Sequence, residues 1–373
     1  MKNKKMPLYI RYVYLIWSLF IIVAVILTLA TTTINECRYY EEKLAASTTT
    51  DACYKRIKQY KIDNGLPIPA EDINETGMLG RHFSYITTTT GVIESKRTSV
   101  NPNFAAVIID MFKEAGVKKG DEVCAVFSGS FPAINIAVMA ACETFELKTC
   151  FMASIGASSY GANDPDFTFF DMANLLYQEG YLKKKIDYVS LGGSHDMGDD
   201  FWEGVSEVIV SRIKESSAKY ISIRDYKENL EYRMNEINKM VPNMKLFINV
   251  GGNIVSMGLD EEAYIYNNGL IKPNYLSAYD IKGNIEKKGL IEHYLEEGIP
   301  VVHMLNLKSI ALKYDLPYDP TTTIDVGSGS IYFEKDYRLS IPITSIVVSA
   351  IILILLGIIK YREKKEKKHE LYK

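Results

Sequence analysis

The sequence predicts an α/β protein with a mainly parallel, Rossmann-like layered sheet that is flanked by two membrane-spanning helices. Two observations in the 373-residue chain support this fold class: short β-rich runs alternate with apolar helical patterns from residue 103 onward, and an uncharged apolar run lies near each end. Strands separated by helical segments are typical of βαβ crossovers, whose helices cover both faces of a parallel sheet.

Each apolar run is long enough to cross a membrane as a helix. The runs cover Tyr12–Ala30 and Ser340–Ile359, which are 19 and 20 residues without a charge, and a helix needs about 20 residues to span the hydrocarbon core. We place transmembrane helices over 12–34 and 340–359. A cleaved signal peptide is an alternative for the first run, but residues 31–36 lack a clear small-x-small cleavage site. A buried hairpin of core helices is disfavoured by the basic flanks at both ends.

Basic residues lie between each apolar run and the nearer chain terminus. Residues 1–11 carry four Lys and Arg, and residues 360–373 carry seven. Because basic segments stay in the cytoplasm, we expect both tails there and the central domain on the outer side of the plasma or inner membrane. Outside the tails, 32 Lys and Arg face 43 Asp and Glu, a net charge of about −11. Such an acidic exterior argues against nucleic-acid binding.

The five cysteines are too few and too irregularly spaced for a disulfide scaffold or a zinc site. Cys37 and Cys53 flank a predicted helix near the membrane and can pair in an oxidising compartment. Cys124, Cys142 and Cys150 lie in apolar strand or helix contexts, where cysteine usually acts as a small buried hydrophobe. No metal site follows from these residues.

The segment between the anchors changes character once. Residues 35–90 are polar and mixed, with a charged helix over 39–61 and a Gly/Pro break, and we interpret them as a stalk and lead-in region. Residues 91–330 form the predicted α/β domain, and 331–339 form a linker to the second anchor. The elements of the domain are predicted as helices over 104–115, 131–145, 167–179, 201–214, 225–240 and 285–297, with strands over 122–127, 149–154, 188–191, 220–223, 246–250 and 301–304.

Four predicted strand ends are rich in glycine and small polar residues: 128–130, 156–164, 192–198 and 251–258. Ligands of open α/β sheets collect beyond the carboxyl ends of the strands. Ordinary tight turns explain any one of these loops equally well, but four together favour a site. The candidate ligand-binding residues are Lys96, Arg97, Ser128, Gly129, Ser130, Ser158, Asn163, Asp164, Gly192, Gly193, His195, Gly251, Gly252 and Asn253.

Ser130 lies two residues before Pro132, at the predicted start of a helix. A serine there is first of all an N-cap, because its hydroxyl can accept a hydrogen bond from the first helical turn. It can also contact an anion or act as a nucleophile. The surrounding residues do not form the G-x-S-x-G pattern of a nucleophile elbow, so the nucleophile hypothesis is the weakest of the three.

His195 and Asp196 are the pair with the most obvious chemistry. Neighbouring residues rarely face the same way, so they do not form a His–Asp dyad by themselves. A triad of Ser130, His195 and a distant carboxylate is one hypothesis. The alternative is that Asp199 and Asp200 in this turn interact favourably with the dipole of the following helix. The catalytic residues stay open, with Ser130, His195 and Asp196 as candidates.

No cofactor is predicted. The chain has no G-x-G-x-x-G or Walker A motif, so nucleotide binding has no motif behind it. A divalent ion held by Asp164, Asp196 and Asp199 is conceivable but is supported by no metal-binding motif. His303, at another strand end, is a weaker site candidate and is equally explained as a satisfied buried histidine.

Lys96 and Arg97 follow a run of threonines and precede the first helix of the domain. Two adjacent cations at this position can face a carboxylate-bearing ligand. The alternative is a solvated loop with two ordinary cations. The sequence does not separate the two interpretations.

Several linked segments resemble the poly-γ-glutamate system protein family. The likeness covers most of 87–326 and the N-terminal anchor, and it covers the C-terminal anchor and the Lys- and Glu-rich tail least. The segments that carry it are Thr89–Gly91, Ser95–Ser99, Asn101–Ala106, Ala115–Asp121, Ser128–Asn135, Gly156–Ser158, Gly161–Pro165, Gly192–Gly193 with Asp196, and Asn249–Gly252.

The resemblance implies a membrane-anchored accessory in the synthesis or export of poly-γ-glutamate. It implies three partners: an ATP-dependent amide ligase, a small polytopic membrane protein, and the polymer itself. It assigns no reaction to this subunit. Poly-γ-glutamate is a polyanion, so a domain with a charge near −11 repels it unless Lys96, Arg97 and backbone N–H groups form a local positive cleft.

Two hypotheses follow, from different functional classes. In the first, the domain is a noncatalytic scaffold that binds the polymer or its synthase, as the absence of a complete catalytic motif favours. In the second, it is an extracytoplasmic hydrolase or transferase of the γ-linked chain, in which Ser130 or His195 takes part. A receptor for a small solute unrelated to capsule polymer is a third possibility.

Overall fold

The computed structural model describes residues 8–259, 266–274 and 287–370, which divide into two compact units. One unit contains both ends of the chain, up to Glu36 and from Phe333, and the other is Cys37–Tyr332. The helices are α1 (Leu8–Ala30), α2 (Tyr40–Asp63), α3 (Ile93–Ser99), α4 (Phe104–Glu114), α5 (Pro132–Thr144), α6 (Phe169–Gln178), α7 (Val205–Glu215), α8 (Tyr226–Met240), α9 (Ile254–Met257), α10 (Leu290–Glu296), α11 (Leu307–Lys313) and α12 (Ser340–Glu370). The strands are β1 (Thr33–Glu36), β2 (Thr87–Thr89), β3 (Glu122–Ser128), β4 (Lys148–Ser154), β5 (Ala157–Ser158), β6 (Tyr188–Ser190), β7 (Lys219–Tyr220), β8 (Met244–Val250), β9 (Gly269–Ile271), β10 (Val301–Met304) and β11 (Phe333–Asp336).

The terminal unit contains the two apolar helices. Within the described residues, α1 over Ile10–Ala30 and α12 over Ser340–Arg362 are long and apolar enough to cross a membrane, each with a mean hydropathy of 2.7. Trp17 on α1 donates a hydrogen bond from Nε1 to the Ser349 hydroxyl of α12 at 2.9 Å. Next to these helices β1 pairs antiparallel with β11, so the predicted linker over 331–339 contains a strand.

The larger unit is built on a seven-stranded sheet among the described residues, in the order β7-β6-β4-β3-β8-β10-β9. Its strand pairs are parallel except for β9, which runs antiparallel to β10. The α/β class and the mainly parallel sheet are therefore confirmed. The antiparallel edge strand β9 lies within the short described segment 266–274.

Alternate residues of the central strands face two different helical layers. Cys124 and Val126 of β3 belong to a buried cluster with Ile237 of α8. Phe127, on the opposite face of β3, packs edge-on against Phe169 of α6, with ring centroids 5.7 Å apart. Because both faces of the sheet are covered, its central strands are mainly apolar, which is why the sequence shows them as short hydrophobic runs.

Helix α2, which the sequence analysis assigns to a stalk, packs instead within the larger unit. Tyr54 donates a hydrogen bond to the carbonyl of Ala133 on α5 at 2.7 Å, and Lys43 pairs with Asp110 of α4 at 2.8 Å. The buried stripe of α2 contains Ser47, Thr50 and other polar residues. A stripe of this composition has little apolar periodicity, so the sequence does not predict its burial.

The cysteines form no disulfide in the structure, which describes all five of them. Cys53 lies buried on α2, where burial raises the pKa of its thiol to about 12. The Cys37–Cys53 pairing considered from the sequence is therefore not formed. Cys124, Cys142 and Cys150 are buried, as expected for small hydrophobes.

Several element boundaries differ from prediction for local reasons. Helix α7 begins at Val205, later than predicted, because Gly204 adopts a left-handed conformation with φ 82°. Strand β7 is shorter than predicted and ends at Tyr220. Helix α10 begins at Leu290, and residues 285 and 286 of its predicted start lie outside the described residues.

Candidate functional site

A cleft of about 650 Å³ lies at the carboxyl edge of the sheet in the larger unit. Its walls come from the residues that follow β3, β4, β6 and β8 and from the segment between β2 and α3. This is the edge at which the sequence predicts a site. The predicted ligand-binding residues that line the cleft are Lys96, Ser128, Ser130, Ser158, Gly192, Gly193, Gly252 and Asn253, and the catalytic candidate Asp196 lines it as well.

Lys96 is the most unusual of these residues. It is 2% exposed, and its Nζ donates hydrogen bonds to the Ser158 hydroxyl at 2.7 Å and to the backbone carbonyl of Ser130. In the described part of the chain, no carboxylate forms an ion pair with it. The amine also lies 4.1 Å from the centroid of the Phe131 ring. Burial lowers the pKa of Lys96 to about 7.

Three serines form a hydrogen-bonded cluster beside Lys96. The Ser128 hydroxyl donates to the Ser130 hydroxyl at 3.0 Å, and the backbone N–H of Ser158 donates to the same Ser130 oxygen at 3.0 Å. Ser130 is not the N-cap of α5, because the helix begins at Pro132 and Phe131 takes the N-cap position. The hydroxyl of Ser130 is therefore directed into the cluster and not onto the helix end.

Two glycines show how closely backbone and side chains approach around the cleft. A Cβ on Gly91 would lie 2.4 Å from the carbonyl oxygen of Ser159 and 3.3 Å from the Ser158 hydroxyl. Gly193 has φ +66°, and a Cβ there would lie 2.5 Å from the Asp200 carboxylate. Both positions therefore exclude a residue with a side chain. Tight packing and close approach of the backbone to a ligand both explain glycine at these positions.

Asp196 lines the cleft but is committed to an internal network. Its carboxylate is 2% exposed and pairs with Arg233 at 2.5 Å. The Ser190 hydroxyl donates to it at 2.7 Å and the Asn229 amide at 3.0 Å. These contacts fix the turn after β6, so Asp196 positions the cleft wall.

His195 lies outside the cleft lining, and its side chain is 63% exposed. Its Nδ1 lies 2.8 Å from Asp199, which also accepts two hydrogen bonds from Arg224 at 2.7 and 2.8 Å. The hydrogen bond from Arg224, together with that from His195, lowers the pKa of Asp199 to about 2. Because the Ser130 oxygen contacts other serines and His195 contacts Asp199, the structure does not assemble the Ser130–His195 triad.

The three carboxylates considered for a divalent ion each have a different cation. Asp164 lies 3.9 Å from Arg81, while Asp196 and Asp199 pair with Arg233 and Arg224. Over the described residues, no group of three or more potential ligands has metal-binding geometry. The carboxylates are therefore distributed among separate ion pairs.

The remaining predicted residues have structural contacts away from the cleft. Arg97 pairs with Asp319 at 2.5 Å, so it is not available to a ligand in the way the sequence suggested. Asn163 is buried and bridges the backbone of Arg81 to the Thr87 hydroxyl. Gly129 and Gly251 also lie outside the lining.

His303 is a buried histidine whose Nδ1 lies 3.0 Å from the Asn249 amide. Burial lowers its pKa to about 4, so it stays neutral at physiological pH. This geometry supports the interpretation of His303 as a satisfied core residue.

Sequence reasoning missed two features of the site. The contact between Lys96 and Ser158 joins residues 62 positions apart, so no local motif reveals it. Ser154 lines the cleft and accepts a hydrogen bond from Asn253 at 3.2 Å, but at the end of an apolar strand it carries no distinct signal.

Comparisons of the chain with models of known protein families, with curated proteins and with solved structures give no match.

Proposed function

We propose that this protein is a membrane-anchored accessory of poly-γ-glutamate synthesis or export, and that its α/β domain binds the polymer in the cleft at the sheet edge. The observation that carries the proposal is the set of hydrogen-bond donors that line the cleft. Its lining includes the buried amine of Lys96 and a series of hydroxyls: Thr88, Thr89, Thr90, Ser95, Ser128, Ser130, Ser154, Ser158 and Ser194.

Both carboxylates that line the cleft already have hydrogen-bond or ion-pair partners within the protein. Asp196 is paired with Arg233, and Asp200 accepts hydrogen bonds from the backbone N–H and the hydroxyl of Ser194 at 2.5 and 2.8 Å. Ser128, Ser154 and Ser194 already donate their hydroxyl protons within the protein. An acidic ligand therefore meets the remaining hydroxyls of the lining and one amine, although the unit as a whole is acidic. These donors, together with the ion pair of Asp196 and Arg233, support the binding of an anionic polymer in the cleft.

Each unit of a γ-linked glutamate chain offers an amide carbonyl and a free carboxylate. Both groups accept hydrogen bonds from serine and threonine hydroxyls. A cleft of about 650 Å³ takes a few such units, so an extended chain can pass through it with several units bound. The supporting observations are the open cleft, its donors and the two apolar helices.

The proposed topology places the larger unit outside the cytoplasm and both tails inside. The basic tails and the two helices suited to a membrane support it. The test uses right-side-out vesicles and protease: the larger unit should be cut in intact vesicles, and an epitope on the C-terminal tail should be cut only after the membrane is opened. Cleavage of that tail in intact vesicles contradicts the topology. Pull-down from the native membrane tests the proposed contact with the ligase and its small membrane partner.

Substitutions of Gly252 test polymer binding, because this residue lines the cleft and has no side chain to fill it. A Cβ there would have one neighbour within 4 Å, the Leu305 side chain at 3.8 Å, so alanine fits. The indole of Gly252→Trp should fill the space and weaken binding of γ-linked oligomers to the full-length protein in detergent by roughly tenfold or more, about 1.4 kcal/mol. Gly252→Ala is the matched control and should bind within about twofold of the wild type.

Fluorescent γ-linked oligomers of defined length report the affinity, and α-linked glutamate oligomers of equal charge separate linkage from charge. Equal binding by Gly252→Trp and the wild type places the polymer elsewhere. Binding of a small solute with no binding of either oligomer supports the receptor hypothesis instead. The second candidate function, a hydrolase or transferase of the γ-linked chain, is favoured by the contact between Lys96 and Ser158.

A further inference from the structure

Lys96 and Ser158 have the mutual geometry of a base and a nucleophile. Both line the cleft, and Nζ and Oγ lie 2.7 Å apart, within the range at which a base takes a proton from a hydroxyl. The amine comes from α3 and the hydroxyl from β5. Two ordered elements therefore bring the pair together at the open edge of the sheet.

The surroundings of Lys96 favour its neutral form. The amine is buried and has no carboxylate partner among the described residues, and the pKa near 7 leaves about half of it neutral at pH 7. The Phe131 ring favours the cation, but the burial of the amine opposes it and lowers the pKa. The charged neighbours of Lys96 interact with other groups. Asp196 pairs with Arg233, and Asp200 accepts a hydrogen bond from Ser194. Arg97 pairs with Asp319 and interacts electrostatically with Glu94.

Ser158 is held in place by its backbone. Strand β5 pairs with β2 through Ser158 and Thr89, and the Ser158 N–H donates to the Ser130 hydroxyl at 3.0 Å. Gly91 leaves the space in which the Lys96 and Ser158 side chains meet, since a Cβ there would lie 3.1 Å from Lys96 Cε. Gly91 is therefore a positioning residue for the pair, and the oxygen of Ser130 helps to fix the backbone of Ser158.

The Ser130 hydroxyl has a proton to offer. Its oxygen accepts from the Ser128 hydroxyl and from the Ser158 N–H, and its own proton has no acceptor in the part of the chain that the structure describes. A donor beside the nucleophile suits the carbonyl oxygen of a bound acyl group, where negative charge develops during attack.

We infer that Ser158 is an acyl-transfer nucleophile and Lys96 its general base, acting on an amide or ester carbonyl bound in the cleft. The neutral amine of Lys96 takes the hydroxyl proton as Ser158 Oγ bonds to the carbonyl carbon. The bond from that carbon to the leaving amine or alcohol breaks, and the leaving group takes the proton from Lys96. An acyl ester on Ser158 remains.

The second half of the reaction releases this ester. Water gives a proton to Lys96 and its oxygen bonds to the acyl carbon. The bond from that carbon to Ser158 Oγ breaks and Oγ takes the proton from Lys96, which frees the Ser158 hydroxyl and a carboxylic acid. An acceptor amine takes the place of water in a transfer and forms a new amide. An amide of the γ-linked chain as substrate rests on the proposed function, whereas the reactivity of Ser158 does not.

The experiment uses an alkyl fluorophosphonate, which reacts with activated serines by losing fluoride. The full-length protein in detergent is treated with the probe, and the modified peptide is identified by mass spectrometry. We expect one adduct, on Ser158. Ser158→Ala should abolish it, and Lys96→Met should slow it roughly 100-fold or more, since general bases contribute that much. Ser222→Ala, which changes an exposed serine outside the cleft, should not alter it.

Circular dichroism establishes that each variant is folded, and Lys96→Arg is a second variant that keeps a cation but cannot act as a base at neutral pH. Absence of the adduct in the folded wild type overturns the inference, as does an adduct on another serine or one that survives Lys96→Met and Lys96→Arg. Labelling of Ser158 without binding of γ-linked oligomers contradicts the proposed function alone. Binding of the oligomers without labelling contradicts the catalytic pair alone.

Discussion

The stability of the protein should depend on pH through Lys96. Folding buries this amine and lowers its pKa from 10.5 to about 7. Between these two pH values the unfolded chain holds a proton that the folded chain releases, so the free energy of unfolding rises with pH. The contribution is complete above about pH 10.5 and is lost as pH falls to about 7. Lys96→Met removes this dependence because methionine does not titrate.

The magnitude follows from the two pKa values. One pKa unit corresponds to about 1.4 kcal/mol, so the stability of the wild type relative to Lys96→Met should rise by about 2 kcal/mol between pH 7 and pH 9. The variant also loses the hydrogen bonds to Ser130 and Ser158. That loss shifts the whole curve but not its slope, since the groups left behind do not titrate in this range.

The assay is denaturant unfolding of the full-length proteins in detergent, followed by near-ultraviolet circular dichroism at pH 7, 8 and 9. Lys55→Met is the matched control, because the Lys55 side chain is 75% exposed and its removal should leave the pH dependence unchanged. Parallel curves for the wild type and Lys96→Met would refute the reasoning, since they would show that the amine is not desolvated by folding.

Three further changes have expected outcomes. Arg233→Met leaves the buried carboxylate of Asp196 without its partner and should lower the free energy of unfolding by about 3–5 kcal/mol in the same assay, with partial recovery on adding Asp196→Asn; no loss contradicts the buried pair. His195→Ala should change oligomer affinity and Ser158 labelling by less than about twofold, because its side chain is exposed outside the cleft; a large loss returns it to the site. Gly91→Ala should slow labelling at least roughly tenfold, as its Cβ intrudes where the pair meets, and an unchanged rate refutes that positioning role.

The sheet and the location of the cleft at its edge were predictable from local patterns. Strands β3, β4 and β8 are mainly apolar and alternate with helices, so the fold class follows from sequence periodicity, and the cleft lies at their carboxyl ends as expected for open α/β sheets. The burial of α2 did not follow, because its inner face is made of small and polar residues. Its packing depends on α4 and α5, which a local pattern does not include.

The composition of the site was less predictable than its location. His195 has reactive chemistry in a Gly-rich loop, but it has φ 54° in a turn and its side chain is exposed. The sequence left Lys96 open as a ligand-facing cation or an ordinary cation of a solvated loop, whereas α3 buries it. Its contact with Ser158 depends on the pairing of the short strands β2 and β5, whose residues carry no distinctive periodicity.

The most direct measurement is to identify which residues a bound γ-linked chain contacts. A γ-linked glutamate oligomer that carries a photoreactive diazirine is bound to the full-length protein, irradiated, and the cross-linked peptides are sequenced. We expect cross-links at the cleft, on the peptides that contain Thr88–Gly91, Ser130–Phe131 and Gly252–Asn253, with loss of all of them in Gly252→Trp. Cross-links confined to other surfaces, or unchanged by that substitution, would contradict the assignment of the cleft as the polymer site.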